Sequence, residues 1–340
     1  MKKRMFSLLK CAAVCSCLMT LLLCLPSFGI AAPAIELKLG HTDPATAESP
    51  YEITAQKFAS LIEQHTKGKY KVNIYPNNQL GSEREMIKNL TMGSMDLGVI
   101  TNAVVGSFAG PFMALDLPFI FPDRETAHAV LDGSVGEMLL SKLDKLQIKG
   151  LAFSEGGFRH MINNVRPIKT PEDTKGIKFR VMQTPIYIGM FQALGSNAIP
   201  MPWNEVYTAT QQKVIDGLEI PIPVIYSSKY SEIVKYLSLT NHTYSPLVMM
   251  CSEQRWKKLS AEDKEAFKRA AREAALFERG TIMGVLESSL QKIKAGGMIV
   301  NDVPNKKPFQ AAVTPMYKKF EGDIGKDVLD AVIKARDAHR

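Results

Sequence analysis

Two arginines, Arg159 and Arg180, are the residues of this sequence best suited to holding an acid. Each lies near an end of a short apolar segment with a strand-like pattern, and a helix-start signal lies between them. A guanidinium group can donate two parallel hydrogen bonds to a carboxylate, which a lysine ammonium group cannot do. The alternative is that each arginine pairs with a surface Asp or Glu, which is the common situation for a single arginine. The pair predicts a site that holds an anion and leaves it chemically unchanged.

Catalytic and metal-binding motifs do not accompany the arginines. The sequence has no G-x-S-x-G, H-E-x-x-H or phosphate-loop pattern, and its six histidines are scattered. A secreted hydrolase, the competing interpretation, would need a nucleophile with a base or two facing carboxylates. We therefore expect a binding protein and not an enzyme, with no catalytic residues, no metal and no cofactor.

Residues 1–32 have the pattern of a secretory signal peptide. An apolar run extends from Cys11 to about Leu25, after a basic start and before the small residues Ala31 and Ala32. The basic residues are Lys2, Lys3, Arg4 and Lys10. The run is shorter than the about 20 residues that a membrane-spanning helix needs, which disfavours an uncleaved anchor. We expect cleavage near Ala31 or Ala32 and a periplasmic location.

Removal of the signal changes the cysteine count and the charge. Four of the five cysteines leave with it, so Cys251 alone remains and neither an internal disulfide nor a cysteine-based metal site is possible. The formal net charge falls from +8 to +4 with the loss of the four basic residues. Since no Lys/Arg run interleaved with aromatic residues follows residue 32, we expect no nucleic-acid partner.

Strand and helix patterns alternate through the remaining chain, which predicts an α/β fold with a parallel or mixed sheet and helices on both faces. Strand patterns cover 35–39, 70–74, 96–100 and 178–182, and helical patterns cover 51–65, 185–194 and 203–213. Ser82 with Glu85 forms a capping box, and Thr170 with Pro171 predicts another helix start. Ligands of open α/β sheets bind outside the carboxyl ends of the strands, and Arg180 comes late in its strand.

Two long helical patterns close the sequence. One runs from Ser260 to Gly296 without a proline, and the alternative is two helices that separate near Gly280 and Gly284. A second, amphipathic pattern runs from about 311 to 338. A helix of the first length exceeds one small domain, so it would connect two parts of the molecule.

An ordered set of motifs resembles the DctP-type solute-binding proteins of tripartite ATP-independent periplasmic (TRAP) transporters. The strongest parts are GFR (157–159), the P-x-D-x-x-G-x-K-x-R block (171–180) and PMPWNEVYTATQQKVIDGLE (200–219). Supporting parts are 79–86, Gly93 with Asp96, 117–121 and 239–244. The resemblance covers essentially the whole chain after the signal.

The resemblance implies a two-lobe periplasmic binding protein fold with crossing strands and a long helix that spans both lobes. The implied N-terminal lobe is 33–156 with 245–284, and the implied C-terminal lobe is 157–244 with 285–340. It also implies a monomer that closes on an organic acid and then docks onto the membrane subunits of a TRAP permease. A ligand-sensing component of a signalling system could use the same fold and stays open as an alternative.

Site residues are implied by the same resemblance. Arg180 is expected to form the ion pair with the ligand carboxylate, and Arg159 to add a second contact. Further side chains that the resemblance places in the cleft are Trp203, His242, His41 and Thr101.

This sequence departs from the family pattern at one position in the site. Many relatives read D-G-Q-E-N-P, whereas here Asp216, Gly217 and Glu219 are followed by Ile220. With Trp203 nearby, Ile220 would give the ligand an apolar wall; the alternative is that Ile220 points into the core.

The ligand expected from this departure is a monocarboxylate with an apolar or aromatic body. Thr101 is neutral where sialic-acid binders carry an acid, which also disfavours a sugar acid of that kind. A C4-dicarboxylate or another sugar acid remains the alternative.

Overall fold

Ten strands of one mixed sheet alternate with α-helices through residues 33–339, which are the residues that the computed structural model describes. The predicted signal peptide, residues 1–32, lies outside the described residues. The strands are β1 (Ile35–Gly40), β2 (Tyr70–Tyr75), β3 (Leu97–Thr101), β4 (Ile148–Asn163), β5 (Lys178–Val181), β6 (Asn197–Pro200), β7 (Gly217–Pro221), β8 (Tyr236–Leu239), β9 (Tyr244–Ser252) and β10 (Ile299–Asp302).

The helices follow the predicted pattern through most of the chain. They are α1 (Pro50–His65), α2 (Glu83–Met92), α3 (Asn102–Gly106), α4 (Arg124–Asp132), α5 (Ser134–Lys142), α6 (Pro185–Ala193), α7 (Trp203–Gln211), α8 (Ile222–Ser227), α9 (Glu253–Lys257), α10 (Ala261–Ala295), α11 (Lys307–Val313), α12 (Pro315–Ile324) and α13 (Lys326–Ala338). The Ser82–Glu85 capping box opens α2 as predicted. The helix start at Thr170 opens only a short 3₁₀ turn, Pro171–Thr174. No helix among residues 33–339 is both long and apolar enough to cross a bilayer.

The sheet has the order β2-β1-β3-β9-β4-β7-β5-β6, and β8 pairs with both β4 and β10. Pairs β1–β2, β1–β3, β5–β6 and β5–β7 are parallel, whereas β9 and β4 pair antiparallel with their neighbours. The predicted mixed α/β class is therefore confirmed. The strand β4, 16 residues long, belongs to both halves of the sheet and connects the two lobes of the fold.

The sequence predicts Arg159 at the edge of a strand, but the residue lies inside β4. The first part of β4 pairs with β9 up to Phe158, and from Arg159 onward it pairs with β7. A register shift precedes this change between Glu155 and Gly157, and Gly157 has a φ of +103°. Because non-glycine residues rarely adopt that angle, glycine permits the bulge that redirects the strand towards its new partner.

The long helical pattern forms one continuous helix, α10, so the alternative of two helices is wrong. Ser260 and Asp263 form a capping box at its start. At 1.5 Å per residue its 35 residues extend about 52 Å. Phe267 packs in the apolar cluster of β1, β3 and α1, whereas Ile293 packs with β7 and α8. The helix therefore spans both lobes, as the resemblance implied.

The predicted helix over 311–338 is three helices, α11 to α13. Pro315 opens α12 after a break, and Gly325, with a φ of +91°, separates α12 from α13. The last helix packs against α4 and α5. These two helices fall within 33–156, and the lobe boundaries stay a prediction.

Candidate functional site

A cavity opens where the carboxyl ends of β3, β5 and β7 meet β4 and β9. Five of the seven side chains expected in the cleft line it: Arg159, Arg180, Trp203, Ile220 and Thr101. Other lining residues are Thr42, Asp43, Tyr51, Ser82, Glu83, Arg84, Val104, Gly156, Met182, Gln183, Met201, Pro202, Pro221, Val224, Ser245 and Leu247. The two residues outside this set are His41 and His242.

Arg180 is a buried cation whose guanidinium group is held in place by the backbone. It is 4% exposed, and its Nε and Nη2 donate to the carbonyl oxygen of Met201 at 2.9 and 2.7 Å. The ring of Trp203 lies 5.6 Å from its central carbon. No carboxylate among residues 33–339 lies within 4.0 Å of it, and burial lowers the pKa of Arg180 to about 10. A buried charge without a partner is costly, so this site is arranged to receive an anion.

The strand register places the two arginines on opposite faces of the sheet. Arg180 pairs with Leu218 in the parallel β5–β7 ladder, whereas Arg159 pairs with Pro221 in the antiparallel β4–β7 ladder. Because side chains alternate along a strand, Arg180 shares its face with Leu218 and Ile220, and Arg159 shares the other with Glu219. Both arginines line the same cavity at this end of the sheet.

Arg159 is already paired inside the protein. Its Nη2 donates to Oε1 and to the carbonyl oxygen of Glu219 at 2.9 and 2.6 Å, and its Nε contacts the other carboxylate oxygen. Nη1 donates to Ser245 Oγ at 3.3 Å. Burial alone would raise the pKa of Glu219, but Arg159 and His242 hold it below its ordinary value. Glu219 therefore carries a charge that pairs directly with Arg159, whereas Arg180 has no carboxylate within 4.0 Å among residues 33–339.

Two buried carboxyl groups, Asp43 and Glu83, lie in the same cavity wall. Glu83 Oε1 accepts a hydrogen bond from the Thr101 N–H at 2.7 Å, and Asp43 Oδ2 accepts one from Ser49 Oγ at 3.0 Å. Within the described part of the chain neither forms an ion pair within 4.0 Å. Burial raises the pKa of Asp43 to about 6 and that of Glu83 to about 7. This wall can accept hydrogen bonds from a ligand.

Sequence reasoning missed these two acids as site residues. Asp43 follows the carboxyl end of β1, and Glu83 opens α2 within the family-like segment 79–86. The strand-end rule could have pointed to Asp43, because ligands bind beyond the carboxyl ends of such strands. Nothing in the residue type predicted that Glu83 would be buried.

His41 and His242 lie behind the cavity wall. His41 is fully buried, and its Nε2 lies 2.8 Å from Glu52 Oε2, while its ring lies 6.1 Å from that of Tyr51. His242 Nε2 lies 3.3 Å from Glu219 Oε2. Their observed contacts are with residues that support the cavity, so they hold neighbours of the site in position.

Ile220 belongs both to the cavity wall and to the core. It is 2% exposed and packs in an apolar cluster with Leu218 and Val224, and it also lines the cavity. Trp203 packs against Tyr230, at 5.5 Å between ring centroids. One side of the cavity is therefore apolar, and the side formed by Asp43 and Glu83 is polar.

Known proteins similar to this chain share its fold over most of its length. The DctP model, described as bacterial extracellular solute-binding protein, family 7, matches residues 40–323. A solute-binding protein of Verminephrobacter eiseniae is 37% identical over 293 residues, which are 86% of this chain and 88% of that protein.

Two similar crystal structures are TRAP periplasmic solute-binding proteins. The one from Polaromonas sp. JS666, bound to D-erythronate, is 37% identical with a TM-score of 0.85 and covers 88% of this chain and 98% of its own. The one from Bordetella bronchispeptica, with density attributed to pantoate, is 38% identical with a TM-score of 0.84 and the same coverage. Similarity at this level extends to the two lobes and the long helix, and these relatives are binding proteins and not enzymes.

Proposed function

We propose that the ligand of this chain, which belongs to the DctP family of TRAP solute-binding proteins, is a short hydroxylated monocarboxylate with an apolar face. Proteins of this family bind organic acids and work with membrane permease subunits. The cavity of this chain supports a narrower class than organic acids in general.

The observation that carries the proposal is the unpaired, buried guanidinium group of Arg180. Its contacts with the Met201 carbonyl and the Trp203 ring fix its orientation without neutralising it. A ligand carboxylate would supply the missing negative charge. Hydrogen bonds between ionised groups are about twice as strong as neutral ones, so this pair supplies the main anchor.

Asp43 and Glu83 restrict what the rest of the ligand can carry. A second carboxylate placed against this wall would face two buried acids, which is unfavourable when either is ionised. Hydroxyl groups, in contrast, could donate to the free carboxylate oxygens. The C4-dicarboxylate alternative is therefore disfavoured, and a ligand with hydroxyl donors is favoured.

The apolar side of the cavity favours a ligand that is not hydroxylated all round. Ile220, Val224 and Trp203 offer no hydrogen-bond acceptors there, and a hydroxyl group left unpaired costs roughly 1–3 kcal/mol. An apolar group buried in the same place contributes about 25 cal/mol per Å². The proposed ligand is therefore a monocarboxylate, as expected from the sequence. Its body carries hydroxyl groups on one side, whereas the sequence predicted an apolar or aromatic body.

Pantoate, attributed to one of the two relatives, belongs to this class, and erythronate, bound by the other, is its counterpart without the apolar face. Both have a four-carbon 2,4-dihydroxybutanoate backbone, and at the third carbon pantoate has two methyl groups where erythronate has a hydroxyl and a hydrogen. They therefore form a matched pair for the apolar wall.

We further propose that the chain is exported as a monomer, is cleaved near Ala31 or Ala32, and delivers its ligand to a permease. N-terminal sequencing and sedimentation of the exported protein test the first three statements. Transport is distinguished from the sensing alternative by uptake of labelled ligand, which deletion of the gene should abolish.

The ligand class is tested with mature protein that has been unfolded and refolded to remove any co-purified acid. Isothermal titration calorimetry is run with pantoate, erythronate, glucuronate, succinate and phenylpyruvate. Pantoate or erythronate should bind at least tenfold more tightly than succinate and phenylpyruvate. Tightest binding of succinate would show that Asp43 and Glu83 do not face the ligand, and tightest binding of phenylpyruvate would show that the hydroxyl requirement is wrong.

A further inference from the structure

A second pocket lies beside β4. Phe158 and His160 line it, whereas Arg159, which lies between them, lines the first cavity. The second half of α10 contributes Leu286 and Leu290, and the segment after β10 contributes Lys306. None of these residues lines the first cavity.

Lys306 brings an uncompensated positive charge to this pocket. No carboxylate within residues 33–339 lies within 4.0 Å of its ammonium group. Burial is the cause that lowers the pKa of Lys306, with no acid offsetting it. Arg124 also lines the pocket, but its Nε donates to Glu155 at 2.5 Å, so its charge is already balanced. Asp302, the acid among the lining residues, is exposed at the rim.

His160 adds a hydrogen-bond donor on the inner side of the pocket. Its Nδ1 accepts from the Asn241 N–H at 3.4 Å, which puts the ring proton of the neutral imidazole on Nε2. His160 is 4% exposed. No acceptor among the described residues engages its Nε2. Burial, together with nearby positive groups that include Lys306 and Arg124, lowers the pKa of His160 to about 3. The imidazole is therefore neutral and can donate from Nε2.

The remaining wall of the pocket is apolar. Ile222 and Leu239 line it opposite the two leucines of α10. The leucines and Leu239 are only partly buried, so apolar surface remains accessible beside the cationic rim. A ligand that fits has a negative head and an aliphatic tail.

We propose that this pocket is a second binding site, for a small amphipathic carboxylate whose head contacts Lys306 and His160 and whose tail packs on Leu286 and Leu290. The charge of the head matches the one lysine of the pocket that lacks a partner, and the tail covers leucine surface that is otherwise in water. The ligand differs from that of the first cavity because no hydroxyl-accepting acids line the inner wall here.

Hexanoate is the probe, and mature protein carrying Arg180→Ala is the background, because that change removes the carboxylate anchor of the first cavity. Binding is followed by saturation-transfer NMR and calorimetry. Hexanoate should bind the background protein, and adding Lys306→Met should weaken it about tenfold or more, since a charge-assisted hydrogen bond is lost while the aliphatic stem stays. The matched control, Lys294→Met, removes an exposed lysine of α10 outside the pocket and should leave hexanoate affinity unchanged.

Two further measurements separate the head from the tail. The neutral analogue 1-hexanol should bind at least tenfold more weakly than hexanoate. Leu286→Trp, which fills the apolar end, should abolish hexanoate binding while pantoate binding in protein with Arg180 intact stays unchanged. Absence of hexanoate binding in the background protein, equal binding to the Lys306→Met protein, or equal binding of 1-hexanol would each overturn the proposal. Circular dichroism and the unfolding temperature establish that each variant is folded.

Discussion

Arg159 on β4 and Glu219 on β7 form a buried ion pair that closes the sheet at the point where β4 exchanges β9 for β7. The pair is fully enclosed, with Arg159 5% exposed and Glu219 not exposed at all. Arg159 and His242 both engage the Glu219 carboxylate, and no carboxylate among the described residues lies within 4.0 Å of Arg180. The pairing therefore leaves Arg180 open to a ligand.

Breaking this ion pair from one side should destabilise the protein strongly. Glu219→Leu leaves the Arg159 charge buried without a partner and should lower the free energy of unfolding by about 3–5 kcal/mol. The double variant Arg159→Leu with Glu219→Leu should cost less than the sum of the two single changes. Urea denaturation monitored by circular dichroism gives the four values of the cycle.

An exposed ion pair serves as the control for that cycle. Lys318 and Glu321 lie on α12, with the lysine side chain 83% exposed. Their single and double variants should leave stability nearly unchanged, as is common for surface pairs. Additive costs at Arg159 and Glu219 would contradict the interpretation that each stabilises the other.

Local signals predicted the elements, and long-range contacts decided the site. The capping residues Ser82 and Ser260 and the apolar alternation of β1 act over a few residues, so they can be seen in the sequence. The Arg159–Glu219 contact joins residues 60 positions apart, and the family-like motifs include both without showing that they pair. The burial of Glu83 likewise depends on packing that no local pattern contains.

The sequence does not show which glycine residues interrupt a helix. Gly280 and Gly284 of α10 have open space around them and adopt helical angles, so they interrupt nothing. Gly325 adopts a positive φ and ends a helix. The residue type alone does not distinguish these cases, because the packing of α12 and α13 sets the backbone conformation at Gly325.

Glu83→Gln should stabilise the ligand-free protein at neutral pH. The amide keeps an acceptor for the Thr101 N–H but removes a buried carboxylate. Burial raises the pKa of Glu83 from 4.5 to about 7. The folded state therefore favours the protonated form, and its stability relative to the variant is greatest below pH 4.5 and falls as the pH rises to 7 and above.

Thermal and urea unfolding between pH 4.5 and 8 measure this effect. The variant should gain up to about 3 kcal/mol over the wild type across that range, which is the free energy that corresponds to the raised pKa. Glu287→Gln, at an exposed position of α10, is the charge-matched control and should show no comparable gain. A stability difference for Glu83→Gln that does not change with pH would mean that its carboxyl is not desolvated.

Arg180→Ala should nearly abolish ligand binding. Removing one partner of a buried charge pair costs roughly 2–5 kcal/mol, or about 30-fold to several thousand-fold in affinity. Arg180→Lys should also bind poorly, because an ammonium group cannot reproduce the planar arrangement of donors. Calorimetry with the tightest-binding hydroxy acid measures both, with the exposed Arg269→Ala as control. Wild-type affinity in either Arg180 variant would remove this residue from the role of anchor.

Ile220→Val tests whether the apolar wall contacts the ligand, through the ratio of the affinities for pantoate and erythronate. Loss of one methylene from the wall should weaken pantoate by about two- to fourfold, because a buried methylene contributes about 0.8 kcal/mol. Erythronate, which has a hydroxyl in place of the methyl groups, should be affected less.

Leu218→Val is the matched control: Leu218 lies two residues earlier on the same face of β7 and in the same apolar cluster, but it does not line the cavity. Both variants should lower the unfolding temperature to a similar extent, whereas only Ile220→Val should change the ratio. An unchanged ratio in Ile220→Val, or an equal change in Leu218→Val, would mean that Ile220 acts through the core and not through contact with the ligand.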